Sequence, residues 1–162
     1  MITPEDIQHL KRCIALAEDA LLDGDEPFGS VLVSAAGEVL REDRNRVKGG
    51  DHTRHPEFEL ARWAASNLPP DQRAAATVYT SGEHCPMCAA AHAWVGLGRI
   101  VYASSSSQLT DWARELGFPP SPVAALPIQT IAPQLEVLGP VPELSQHVYA
   151  LHQRRSGAQA DK

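Results

Sequence analysis

The chain has few aromatic residues, few cysteines and no excess of positive charge. Aromatics make up 6% of its 162 residues, and it holds three Cys and two Met. Three cysteines are too few, and odd in number, for a disulfide framework, and this usage fits a reducing compartment. No apolar run reaches the roughly 18 residues that a membrane-spanning helix requires. No signal peptide is recognisable, so the expected setting is cytoplasmic. Basic residues are outnumbered, 14 Lys and Arg against 20 Asp and Glu, for a formal charge of −6. A nucleic-acid binder normally carries a basic balance or a clustered basic face. The one local basic stretch, Arg41, Arg44, Arg46, Lys48 and Arg54, is broken by Glu42, Asp43 and Asp51. It reads as a solvated loop and strand edge.

What is present is concentrated in two short segments, His55-Pro56-Glu57 and Cys85-Pro86-Met87-Cys88. They offer an imidazole, two thiolates and a carboxylate. His55, Cys85 and Cys88 are one ligand short of a closed tetrahedral zinc site. Structural zinc sites fill all four positions with protein, whereas catalytic ones leave the fourth to water and bring its pKa to about 7. Glu57, two residues after the His, is placed to carry the proton. This pattern points to hydrolysis at an electrophilic carbon. A redox CxxC pair and a structural zinc completed by His84 or His52 are the alternatives. A redox pair has no use for the His-x-Glu, and the structural site needs that fourth ligand.

Periodicity and punctuation place these segments. Residues 4–23 predict a helix, with Thr3 as N-cap, Pro4 at N1 and Gly24 as the stop. Strands are expected at 29–34 and 38–44, joined by a turn at Ala35-Ala36-Gly37. A helix over 56–67, a strand over 76–80, a helix over 86–95 and a strand over 99–103 follow, then a short helix over 108–116. Residues 119–142 carry seven prolines and read as an ordered wrap or linker with one strand at 134–138. A weak helical period covers 142–154. The expected organisation is one domain over 1–154 and a disordered tail over 155–162. The strand–helix alternation after residue 70 implies parallel strands with crossover helices. Together with the hairpin it gives an α/β fold: a mixed five-stranded sheet with helices on both faces, a three-layer α-β-α sandwich.

His55-Pro56 and Cys85-Pro86 share one local grammar, a ligand at a helix N-cap and proline at N1. Each cluster then lies at the positive end of a helix dipole, which favours the thiolates that zinc requires. His-x-Glu followed some 30 residues later by Cys-x-x-Cys, on successive helix starts in this strand order, resembles the cytidine-deaminase superfamily, whose Glu is the general acid/base and not a ligand. Pro27-Phe28-Gly29, Asn45 and Thr80-Ser81 are similar to its free-nucleobase branch, the guanine and cytosine deaminases. One departure is His84, where the family usually has Pro.

The resemblance implies zinc held by His55, Cys85 and Cys88, with Glu57 moving the protons. It also implies Asn45 hydrogen-bonding the base, Phe28 packing near it, and a carboxylate after the fourth strand reading its N–H edge. Asp111 and Glu115 stand there, with Glu115 the choice; Trp112 is a possible pocket wall. His9, His92, His147 and His152 carry no partner pattern and read as structural or surface groups. The expected activity is hydrolytic deamination of a small free amino-heterocycle such as guanine, cytosine or an aminotriazine. Editing of tRNA is a second reading, and a non-catalytic zinc-stabilised binding module a third. A homodimer is expected from the resemblance, with the proline-rich segment packed against the partner.

Overall fold

The computed structural model describes residues 1–160. Helix α1 spans Pro4–Leu22, and its start is a full capping box: Thr3 Oγ1 accepts from Asp6 N–H while Asp6 accepts from Thr3 N–H. Asp6 is buried, and its other oxygen is held by Tyr79 Oη (2.7 Å) and Arg99 (2.8 Å). Burial opposes that charge, but these hydrogen bonds and the guanidinium prevail and hold its pKa below the usual carboxylate value.

Strands β1 (Gly29–Val33), β2 (Val39–Arg44), β3 (Thr77–Gly82), β4 (Ile100–Ser104) and β5 (Val137–Leu138) form one sheet in the order β2-β1-β3-β4-β5. The β1 strand pairs antiparallel with both β2 and β3, while β3, β4 and β5 run parallel. The mixed five-stranded sheet is as the sequence implies. β1 is buried along its whole length because both faces are covered. Val31 and Val33 join Leu10, Cys13 and Val148 on the face of α1 and α7 (Pro142–Ala160). Leu32 and Val78 join Leu60 and Ala64 of α2 (Pro56–Asn67) on the other. Gly29 is required where α1 crosses: a Cβ there would lie 2.4 Å from Cys13 O and 2.5 Å from Leu16 Cβ.

Several elements differ from expectation. Pro69-Pro70 ends α2, but Pro70 then serves as N1 of a short α3 (Pro70–Ala75). The serine run caps α5 (Ser106–Glu115) through Ser105 and Gln108. β5 is two residues long rather than five. The proline-rich segment is anchored within its own chain: α6 (Ile128–Ile131) buries Ile128 against Ala89, Ile100 and Tyr102, and Glu83 accepts from Ile128 N–H at 2.9 Å. The last helix runs on to Ala160, contrary to the disordered tail expected from residue 155, because Arg154 pairs with Glu18, Arg155 with Glu26, and Ser156 with Leu116 O. Residues 161–162 of that expected tail lie outside the described residues. Among the described residues, no helix is long and apolar enough to cross a membrane.

Candidate active site

Two helix starts meet beside the carboxyl end of β3. His55 is the N-cap of α2 and Cys85 that of α4 (Pro86–Trp94), each followed by proline at N1, as the sequence predicts. Cys88 lies on the first turn of α4 and is fully buried. His55 Nδ1 is 3.6 Å from Cys85 Sγ and 3.5 Å from Cys88 Sγ. Zinc–sulfur and zinc–nitrogen bonds of about 2.3 and 2.0–2.1 Å at a tetrahedral angle put sulfur and nitrogen about 3.6 Å apart. Both nitrogen–sulfur separations therefore suit a shared zinc ion, and all three donor atoms lie within 4.8 Å of one another. Neither His52 nor His84 joins this donor group, so the structural-zinc alternative lacks its fourth protein ligand. His52 is exposed, and His84 is buried edge-on against His92, with ring centroids 5.4 Å apart.

Without metal, the three donors share protons among themselves. Cys88 beside it, together with His55, holds the Cys85 thiol down to about 4 in spite of burial. Cys85 in turn raises His55 to about 9. Cys88, hydrogen-bonded to Cys85 and buried, is pushed up well above an ordinary thiol. Cys85 is thus already in the thiolate form that binds metal, whereas His55 and Cys88 each release a proton when a metal takes their lone pairs.

Glu57, on the first turn of α2, is buried at 6% exposure. Burial raises its pKa, while the His55 charge and the Thr80 hydroxyl oppose the rise. Its Oε1 lies 2.8 Å from Thr80 Oγ1 and 3.2 Å from Ser30 Oγ, and the two hydroxyls are 2.9 Å apart. These hydroxyls come from paired positions of β1 and β3. Ser30 was not singled out from the sequence; the available signal was a lone hydroxyl in a strand otherwise of Gly, Val and Leu.

Asn45 directly follows β2 and is 1% exposed. Its Oδ1 lies 3.2 Å from both the Glu26 and Val47 backbone N–H groups. Two N–H donors require an oxygen there, so the amide orientation is fixed and Nδ2 is the group left to bind something else. Phe28 precedes β1, and its ring lies 3.4 Å from where a Cβ on Gly82 would stand. The structure thus gathers His55, Cys85, Cys88, Glu57, Asn45 and Phe28 around one end of the sheet. It does not bring Glu115 there. Glu115 is exposed, and its carboxylate accepts from Tyr149 Oη at 2.8 Å. Asp111 is also exposed, paired with Arg114 at 3.6 Å. Both side chains point where α7 and solvent take them, which a helix position alone does not reveal. Trp112 is partly buried, with its ring 5.2 Å from Tyr149.

Comparison with known proteins agrees with this geometry. The chain is 28% identical over 144 residues to a probable cytosine deaminase of Schizosaccharomyces pombe, covering 83% of this chain and 88% of that one. It is 37% identical over 111 residues to the guanine deaminase of Bacillus subtilis, covering 67% of this chain and 68% of that one. The solved structure of a guanine deaminase from Nitrosomonas europaea shares the fold, with a TM-score of 0.71, 20% identity, and coverage of 97% of this chain and 86% of that one. Residues 3–104, which carry both ligand-bearing helix starts, match the family model for the cytidine and deoxycytidylate deaminase zinc-binding region, and the chain belongs to that family.

Proposed function

We propose that this protein is a zinc-dependent hydrolytic deaminase that releases ammonia from a free nucleobase or a similar planar amino-heterocycle. The observation that carries the reading is the buried Glu57 carboxylate on the same helix turn as a three-donor, open metal site. Bound to His55, Cys85 and Cys88, zinc supplies the Lewis acidity that makes water nucleophilic near neutral pH. Glu57 takes one proton from the attacking water and gives it to a ring nitrogen; it then takes the remaining proton of the newly added hydroxyl and gives it to the amine, so that the C–N bond breaks, ammonia leaves and a carbonyl remains. Burial raises the Glu57 pKa, which favours a carboxyl that must accept a proton before releasing it. Thr80 and Ser30 fix the carboxylate through Oε1. Asn45 Nδ2 donates to an acceptor on the base, and Phe28 supplies the apolar face against which the ring lies.

The basic stretch argues against nucleic-acid editing. Arg44 pairs with Asp23 and Asp25, Arg46 with Asp43, and Lys48 Nζ with Asp23 O. These cations are committed within the chain, and the net charge is −6, whereas phosphate contacts need free Lys and Arg. The same pairing weighs against tRNA, the second sequence reading. Assay of a panel of free bases, aminotriazines, nucleosides and a tRNA for ammonia release tests both. We expect at least one free base or triazine to exceed every nucleoside in kcat/KM by about a hundredfold or more. Comparable turnover of cytidine or adenosine, or efficient deamination of tRNA, would remove the free-base reading. Metal retention with no turnover on the whole panel would instead favour a non-catalytic zinc module.

We also propose a homodimer. Trp94 on α4 is 88% exposed and lies beside Ala90, Ala93 and Ile131, an apolar face on the element that carries two metal donors. Light scattering should give a mass twice the 17.5 kDa chain, and Trp94→Glu should shift it toward one chain. A wild-type mass of one chain at micromolar concentration contradicts the dimer.

A further inference from the structure

With Asp111 and Glu115 turned away, the far edge of the substrate has no reader among the residues that the sequence singled out. The described residues offer another group. Two imidazoles, His84 and His152, are buried with both ring nitrogens unpartnered. Buried polar groups are almost always hydrogen-bonded, and leaving one unpaired is costly. His84 belongs to the loop that carries Cys85 and packs against His92. His152 lies elsewhere, on α7, and is 1% exposed. Its ring stands edge-on to Phe28, centroids 5.3 Å apart, with Trp112 at 6.0 Å.

Three contacts tie that turn of α7 to the active site. Phe28, which His152 touches, lies on Gly82, two residues beyond the Thr80 that holds Glu57. One turn beyond His152, Arg155 pairs with the Glu26 carboxylate at 3.2 Å. The backbone N–H of Glu26 in turn donates to Asn45 Oδ1. α7 therefore closes the same corner of the molecule that holds Asn45, Phe28 and Glu57.

We infer that His152 is a substrate-contacting residue that, with Asn45, reads the polar edge of the bound base. The inference rests on the deaminase reading above and adds a specificity determinant to it. Burial depresses the imidazole to about 3, so His152 is neutral at physiological pH. A neutral imidazole has one N–H donor and one acceptor nitrogen. It can donate to a ring nitrogen or carbonyl, or accept from a ring N–H. Phe28 and Trp112 are partly exposed rings, and a planar heterocycle seated against them brings its edge to His152. A base substituted at that edge, as by a sugar, leaves the imidazole unpaired, which favours the free base.

The test combines nitrogen NMR of the histidine rings with kinetics of two variants. Each free base and aminotriazine of the panel above is titrated into the zinc-loaded protein, with His152→Gln assigning the resonances. Binding of the preferred base should move both His152 ring-nitrogen signals. His152→Phe keeps a ring in the cluster but has no polar atom. It should raise KM for that base about ten- to hundredfold with kcat changed by less than about threefold. His152→Gln, which keeps a donor and an acceptor, should recover most of the loss. A simple packing role predicts the reverse, with Phe milder than Gln, and that result overturns the inference. Ammonia release with the His152 signals unmoved at saturation also overturns it and leaves the deaminase reading standing. Base binding that moves His152 without ammonia release overturns the deaminase reading and keeps the contact. Neither binding nor release overturns both.

Discussion

Glu57→Gln should abolish turnover while leaving fold and metal content intact. Glutamine matches the carboxylate in shape, and its Oε1 still accepts from Thr80, so the local network survives. What it lacks is a site that takes up and releases a proton at neutral pH. General acid–base catalysis is worth roughly 10²–10⁴-fold per group, and here one carboxylate serves several transfers, so we expect a loss of about 10⁴-fold or more. Stability should not fall. Glu57 is buried and its pKa is raised chiefly by desolvation, so its charged form is held at a cost that a neutral amide avoids. The expected thermal midpoint is equal to or above that of the wild type. Ammonia release, metal analysis and a melting curve check the three parts. A variant that keeps a tenth of the wild-type rate would remove the assigned role, and one that loses zinc would show that Glu57 supports the donors rather than the reaction.

The features legible in the sequence were those written locally. A ligand at N-cap with proline at N1 is decided within one helix turn, and so His55, Cys85, Cys88 and Glu57 could be placed before any tertiary contact was known. The sheet was legible for a related reason. A two-way-buried strand such as β1 needs layers on both faces, and alternation after residue 70 forces parallel neighbours.

Features that depend on packing between distant segments were not legible. Glu115 lies on an expected helix, but its partner is Tyr149 of α7, some 35 residues later. Ser30 meets Glu57 only because β1 and β3 pair in one register. The end of α7 has a weak period of its own and extends to Ala160 because Glu18, Glu26 and Leu116 hold it. His152 carries no sequence signal that sets it apart from other helical histidines; its unpartnered nitrogens and its contact with Phe28 arise only from packing.

Cys85→Ser should lose the metal and the activity together. The wild type is expected to carry close to one zinc per chain on His55, Cys85 and Cys88. Serine is nearly isosteric but remains a protonated alcohol at neutral pH, and zinc needs a deprotonated ligand. With only His55 and Cys88 left, metal content should fall to about a tenth of the wild type or less, since zinc affinity is built from the full ligand set. Turnover should fall in proportion. Chelation should do the same to the wild type, with recovery on adding zinc back. Cys85 is the better site for this test than Cys88. Cys85 is partly exposed, whereas Cys88 is fully buried, so Cys88→Ser would also place a hydroxyl in packed surroundings and confound metal loss with misfolding. Read beside Glu57→Gln, the outcome separates two roles on neighbouring helix starts. One variant retains zinc without turnover, and the other has neither. Full zinc in Cys85→Ser would show that the donors brought together at these helix starts are not the metal site.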